Sequence, residues 1–190
     1  MWDLLFNNFS RHITLTEEVK EIVRTLFTHK KFRKRQYILQ EGQVSRMESF
    51  VIKGLTRTYE VDENGQDHVL VFGPEDWWVG DMYSYLSGKP STYNIDCLED
   101  TEVLQITKTA QEQLFQQSPR FERFFRIIVQ NAYIAAITRI TSNLKKTAGE
   151  QYEDFIAKYP HIEQRVPDHQ IASYLGITPQ SLSRIRAKAK

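Results

Sequence analysis

Gln170-Ile-Ala-Ser-Tyr-Leu-Gly-Ile-Thr-Pro-Gln-Ser-Leu-Ser-Arg-Ile-Arg-Ala-Lys-Ala-Lys190 reads as two short helices meeting at a glycine, the second ending in cations. Ile171 and Leu175 lie one helical turn apart and share a face, and Ala172 beside them is small enough to let a second helix cross closely. Gly176 tolerates the left-handed backbone that ends a helix, and Ile177 plugs the corner. Thr178 then offers an N-cap hydroxyl, and Pro179 takes the first helical position, where a missing N–H costs nothing. The inner face of the second helix is Leu182 and Ile185, which turns Gln180, Ser181, Arg184 and Lys188 outward. From Gln170 onward there are four cations and no carboxylate. A basic, solvated helical corner would share those charges, but not the small and aliphatic residues at this spacing. The segment is therefore expected to be a helix-turn-helix that reads double-stranded DNA.

Composition permits this reading without proposing it. The chain has 190 residues, is 41% hydrophobic and carries a formal net charge of +1, so attraction to DNA must come from a local patch. No run approaches the roughly 18 apolar residues of a membrane span. Met1-Trp2-Asp3-Leu4 lacks the basic start of a signal peptide, so a cytoplasmic protein without membrane partners is expected. A lone Cys97 cannot form an intramolecular disulfide, a redox pair or a four-thiolate iron–sulfur cluster, and reads as a core residue of a strand. His12, His29, His68, His161 and His169 show no metal-binding spacing, and the sequence has no P-loop, G-x-S-x-G or G-x-G-x-x-G. No metal site, no catalytic residue and no enzyme is expected.

Working backwards from the C-terminus, the chain falls into zones of different periodicity. A short helical pattern, Glu150 to Tyr159, precedes the corner. Before it, Ser118-Pro119 reads as an N-cap followed by proline at the first helical position, opening a helix that runs unbroken to about Lys146. Phe121, Phe125, Ile128, Ala132 and Ala135 form one apolar line along that helix, the line a β domain would cover. Tyr133, Ile137, Ile140 and Leu144 form a second at 4-3-4 spacing, which is the seam geometry of two identical paired helices, so a homodimer is expected.

Earlier still, the period is two. Short runs rich in β-branched and aromatic residues end in turn chemistry: Tyr37-Ile-Leu39, Ser49-Phe-Val-Ile52, Thr56-Arg-Thr-Tyr-Glu-Val61, His68-Val-Leu-Val-Phe72, Trp77-Trp-Val79, Tyr93-Asn-Ile-Asp-Cys-Leu98 and Glu102-Val-Leu-Gln-Ile106. Asn64-Gly65 marks a hairpin. Strands of this kind close into a sandwich or barrel. Ahead of them, Thr16 caps a helix to about His29 whose apolar face is Val19, Ile22, Val23 and Leu26.

The order β-roll, long helix, helix-turn-helix resembles the Crp/Fnr family of bacterial transcription regulators over essentially the full length. The matching residues are Tyr37-Ile-Leu-Gln-Glu-Gly42, Phe50-Val-Ile-Lys-Gly54, Gly80-Asp81, Glu102-Val-Leu-Gln-Ile106, Gln170-Ile-Ala-Ser-Tyr-Leu-Gly176 and Ser183-Arg184. The resemblance implies an α+β chain. Residues 1–117 would be a cyclic-nucleotide-binding-like jelly roll (a double-stranded β-helix), 118–146 a central dimerisation helix, and 147–190 a winged-helix-type DNA-binding domain. The chain ends soon after the second helix, so no wing is expected on that side. The resemblance also implies base contacts from Gln180 and Arg184, with Pro179 at a third such position. Thr178, Ser181, Ser183 and Lys188 are expected as capping, ancillary or phosphate contacts. The partners implied are an inverted-repeat operator, a second copy of the chain, RNA polymerase and an unidentified small-molecule effector.

The ligand cassette departs from the family pattern. It reads Gly80-Asp-Met-Tyr-Ser-Tyr-Leu-Ser-Gly-Lys-Pro-Ser-Thr92. Members that bind cyclic nucleotides hold the phosphate with backbone amides and an arginine, and the ribose with a glutamate following a glycine. Asp81 replaces that glutamate and Ser91 stands where the arginine belongs. A buried phosphate without a cation keeps an uncompensated charge, so ordinary cyclic AMP binding is not expected. The candidate ligand residues are Gly80, Asp81, Met82, Lys89, Ser91 and Thr92, with Lys89 the cation nearest in sequence. Trp77, Trp78, Tyr83, Tyr85 and Tyr93 are expected to fill the pocket, or else to line it for another ligand. A small-molecule signalling module with vestigial DNA binding, and a constitutive architectural DNA binder, remain alternatives.

Overall fold

Alternating strands build two four-stranded sheets. The strands are β1 (Thr28–Phe32), β2 (Tyr37–Leu39), β3 (Met47–Lys53), β4 (Thr56–Val61), β5 (Asp67–Gly73), β6 (Trp77–Val79), β7 (Asn94–Cys97) and β8 (Thr101–Thr107). The sheet orders are β1-β8-β3-β6 and β2-β7-β4-β5. The pairs β1–β8, β3–β8, β3–β6, β2–β7 and β4–β7 are antiparallel. The computed structural model describes residues 1–160 and 162–189, the side chains at 188 and 189 excepted. It divides into two compact units, Met1–Glu60 with Val71–Val129, and Val61–Leu70 with Gln130–Lys190.

In the first unit the pleat sorts β3 into two cores. Val51 packs with Val79 and Val103 on the inner face, joined by Ile38 of the other sheet. Phe50, one residue away, points to the outer face and joins Leu104 and Ile106 under a helical layer. That layer contains α1 (Trp2–Ser10), α2 (Glu17–Leu26), α4 (Lys108–Gln117) and the start of α5 (Arg120–Lys145), and α3 (Met82–Ser87) follows β6. Trp78 is the centre of the packing, with ring centroids 5.3 Å from Phe50, 5.3 Å from Phe125 and 6.0 Å from Phe9 and Phe124. Its indole N–H donates to Asn8 Oδ1 at 3.1 Å.

The strands expected from alternation are present, and Asn64-Gly65 turns between β4 and β5 with Gly65 at φ 78. Cys97 is a buried strand residue, and burial pushes its thiol up to about 11. Several boundaries move. Thr16 does cap α2, accepting from Val19 N at 3.4 Å, but the helix ends at Leu26 instead of His29 because residues 28–32 pair with β8. The long helix begins at Arg120, and Ser118 does not cap it. The Ser118 amide closes α4 on Leu114 O at 2.9 Å, and its hydroxyl is buried without a partner among the described residues. Phe121, Phe124 and Phe125 are buried and Ile128 is half-buried, whereas Ala132 and Ala135 are exposed, so the β domain covers only the first half of that apolar line.

In the second unit, α6 (Ala148–Lys158) carries a full capping box, Thr147 with Glu150, and a 3-10 turn (Ile162–Gln164) leads to α7 (Asp168–Leu175) and α8 (Pro179–Ala189). Phe155, Tyr159 and Tyr174 form its aromatic core. The hairpin tip belongs to this unit. Ser173 Oγ accepts from Val69 N at 3.0 Å and donates to Asp67 O at 2.7 Å. The Arg139 guanidinium bonds Leu70 O and Tyr174 O while stacking 4.2 Å from the Tyr174 ring. Among the described residues, which leave out His161, no helix is long and apolar enough to cross a membrane and no cluster is suited to a metal ion.

Phe124 is fully buried at the junction of α5, α1 and Trp78. Its replacement by alanine is expected to lower the unfolding free energy by about 3–5 kcal/mol in denaturant titration, whereas Leu86→Ala, at a position 62% exposed, shifts it by about 0.5 kcal/mol or less.

Candidate nucleic-acid interface and ligand cassette

The C-terminal corner is built by burial on one side and capping on the other. Ile171, Ala172 and Leu182 are fully buried and Leu175 is 6% exposed, pinning α7 against α8. Gly176 closes α7 at φ 67, in the left-handed region. Thr178 Oγ1 accepts from Ser181 N at 3.2 Å, so the threonine caps α8. With Leu182 held inward, Gln180, Ser183 and Arg184 lie exposed and Ser181 half-buried on the outer face. Arg184 rests on Gln180 O and Ser181 Oγ, each at 3.4 Å, contacts weak enough to exchange for a ligand. The side chain of Lys188 lies outside the described residues.

The charge of this corner is distributed differently from the sequence count. Arg186 is turned back into the domain, with ion pairs to Glu163 at 2.8 Å and Asp168 at 2.5 Å and a hydrogen bond to Tyr152 Oη at 3.2 Å. Its two carboxylate partners precede Gln170, which is why counting charge from Gln170 onward overstated the free positive charge. Arg184 is the exposed cation left on the described outer face.

The cassette residues do not converge on one cavity. A recess of about 180 Å³ opens in the β domain, lined by Leu39, Ser45, Arg46, Val79, Gly80 and Gln105 among others. Of the six candidate ligand residues, Gly80 alone lines it. Asp81 is 4% exposed, and its carboxylate caps α3 by accepting from Ser84 N at 3.1 Å. Met82 opens α3 half-buried, while Lys89 and Thr92 are exposed. The Ser91 hydroxyl is buried and engaged with the Tyr93 backbone, donating to its carbonyl at 3.1 Å and accepting from its amide at 3.0 Å. The five aromatics also separate. Trp78 belongs to the helical core, Trp77 packs by Val51, Tyr85 is buried on Gln111, Tyr93 is half-buried, and Tyr83 is 61% exposed.

Three charged side chains missed in the sequence, Arg46, Arg57 and Glu48, belong to this domain. Arg46 is exposed and lines the recess. Arg57 is buried, but it spends its fork on Asp96 at 2.9 and 3.0 Å while stacking 4.0 Å from Tyr59, so its charge is already neutralised. Glu48 is 4% exposed on the face of β3 that also carries Phe50. Its carboxyl lies so close to Gly80 that a Cβ there would fall 2.7 Å from Oε2 and 2.8 Å from Oε1. A side chain at position 80 would therefore displace the Glu48 carboxyl. The parity of Glu48 with Phe50 was the available signal, but parity alone does not say that a helical layer covers that face.

Burial, and next the nearby Asp81 carboxylate, push Glu48 up to about 8, so it is protonated at neutral pH. Tyr85, packed on the same side, is also pushed up, first by burial and then by Glu48. Because the folded state keeps a proton that the unfolded chain releases above the ordinary glutamate range, stability is full below that range and falls as pH rises toward and through about 8. Melting curves from about pH 5 to about pH 9 are expected to show this decline in the wild type and a flatter profile in Glu48→Gln; equal slopes for the two proteins would contradict it.

Residues 29–118 match the cyclic nucleotide-binding domain family. No curated protein matches the chain by sequence. Among solved structures, FixK2 from Bradyrhizobium japonicum superposes with a TM-score of 0.73 at 19% identity, covering 85% of this chain and 83% of that one. The c-di-GMP-responsive global regulator CLP of Xanthomonas campestris gives a TM-score of 0.72 at 14% identity over 92% and 91% of the two chains. A protein described as a Crp/Fnr-family transcriptional regulator from Eubacterium rectale gives 0.66 at 15% identity over 92% and 83%. Residues 29–118 are thus similar to a cyclic nucleotide-binding domain, and the chain has the fold of these three solved structures.

Proposed function

We propose that the protein is a homodimeric, sequence-specific DNA-binding transcription regulator. The observation that carries this reading is the outer face of α8, where Gln180 and Arg184 stand one turn apart on a helix fixed from behind by Leu182. An amide there suits adenine and a guanidinium suits guanine, both read in the major groove. Thr178 holds the start of α8, and Ser181 and Ser183 are placed for ancillary or phosphate contacts. The fold neighbours support the same reading: CLP is a global regulator linked to virulence gene expression.

A two-fold dimer is supported by an unpartnered line along α5. Tyr133, Ile137, Ile140 and Leu144 are 67%, 46%, 58% and 81% exposed in the single chain. Val129, 38% exposed, extends the line by another step of four. Such a stripe on one helix is what a second copy covers, and it would present two recognition helices to an inverted repeat.

Ile140→Glu is expected to give monomers in sedimentation, because an unpaired carboxylate in a helix seam opposes association; an unchanged dimer would remove this seam. For DNA, the measurement is selection with the purified protein followed by titration of the enriched and a scrambled duplex at several salt concentrations. Arg184→Ala is expected to cost about 1–3 kcal/mol on the enriched site and to relax preference at one base pair. Lys188→Ala is expected to weaken both duplexes alike and lower the salt slope by about one unit. Equal losses on both duplexes for Arg184→Ala would make it a phosphate contact. Binding without enrichment would favour an architectural role, and no binding a signalling module.

A further inference from the structure

The phosphate position of the cassette lacks its arginine, yet three arginines line a different hollow on the β domain. A recess of about 810 Å³ opens between the loop that follows α1 and the first turn of α5, and Arg11, His12, Arg120 and Arg123 line it. We propose that this recess binds a small, multiply charged phosphate ester or diphosphate, as a site separate from the cassette.

The charge balance supports an anion. The one carboxylate seen to engage the cluster is Asp76, which pairs with Arg11 at 2.5 Å. Arg120 uses one N–H on Thr14 O at 2.6 Å and keeps the rest of its fork. Arg123 is exposed and has no hydrogen-bond or ion-pair partner among the described residues. The excess is local, because the whole chain carries only +1.

Arg120 and Arg123 also sit in the first turns of α5, a 26-residue helix with Glu122 as its only first-turn acid. The positive end of the helix macrodipole adds to their mutual repulsion, so the cluster raises the energy of the unliganded protein. An anion in the recess relieves both terms. Guanidinium forks suit phosphate oxygens bidentately, and more than one fork suits a ligand with more than one anionic group. The frame is held in advance. Ile13 is 8% exposed, and the His12 ring packs 5.9 Å from Phe124, itself fully buried, so the backbone of the recess is fixed and only the arginine side chains need ordering. The recess is shallow and open, so a small anion would be held there by the arginine forks and not by enclosure.

The test is calorimetric titration of the full chain with inorganic pyrophosphate at about 50 mM salt, repeated at higher salt. Binding of one pyrophosphate per chain that weakens with salt is expected. Arg120→Gln with Arg123→Gln, checked for an unchanged circular dichroism spectrum, should weaken it at least about tenfold, while Lys53→Gln, an exposed cation elsewhere, should leave it unchanged. If the double variant fails to fold, Arg123→Gln alone should weaken binding and Arg123→Lys should restore part of it. Cyclic AMP should bind more weakly and lose that binding in the same variants. The proposal fails if pyrophosphate does not bind, or if binding survives the arginine substitutions. It fails also if these substitutions weaken only duplex DNA, which would make the recess a nucleic-acid backbone contact. Because no arm depends on operator recognition, failure here leaves the DNA-binding reading intact.

Discussion

Everything in the β domain depends on one aromatic junction, the packing of Trp78 with Phe9, Phe50, Phe124 and Phe125. It joins strands β3 and β6 to the N-terminal helix and to the start of α5. Offset and edge-on ring contacts of this kind add directional preference to ordinary apolar burial, so the junction fixes where α5 departs from the sheet as well as holding it there. The indole N–H would be costly to bury unpaired, and Asn8 meets it. Asn8 in turn donates to Asp76 at 2.8 Å, and Asp76 takes Arg11. The same chain of contacts therefore runs from the hydrophobic core to the edge of the cationic recess.

Behind the cassette the chemistry is that of an acid pair. Glu48 presses against Gly80, and Asp81 is used up as the cap of α3. A carboxyl that stays neutral by burial is compatible with close backbone approach, and it places potential negative charge, not positive, beside the glycine. The one nearby buried guanidinium, Arg57, is satisfied by Asp96. The β domain thus keeps its glycine and its capping carboxylate, while its buried arginine is committed to an internal ion pair. Arg46, at the edge of the recess, is the remaining cation there.

The C-terminal corner shows the same economy of charge. Arg186 ties α8 to Glu163 and Asp168, and Arg139 ties α5 to the hairpin and to the end of α7. These arginines are structural fasteners, since a guanidinium can satisfy several carbonyl or carboxylate acceptors at once. Their commitment leaves Arg184 as the exposed cation on the described outward face of α8, beside the polar side chains of Gln180 and Ser183.

Where the determinants are local, the sequence alone settled the outcome. Asn64-Gly65 fixes a hairpin because Gly65 takes a positive φ without strain while the Asn64 amide donates to Asp62 Oδ1; Thr16 and Thr178 fix helix starts because their hydroxyls meet orphan amides; Gly176 fixes the corner for the reason Gly65 fixes the turn. Alternation and 3.6-residue periodicity located strands β2 to β8, the long helix and the outward face of α8. Tertiary packing decided the rest. Helix α1 contains Asn7 and Asn8, poor helix formers, and persists because Leu5, Phe6 and Phe9 are buried by elements distant in sequence. Strand β1 has little apolar alternation and exists because β8 pairs with it along its whole length. Whether Glu48 is protonated, Arg57 neutralised or Arg186 internal depends on partners at long sequence separation. No local pattern encodes the desolvation or the geometry that brings such partners together.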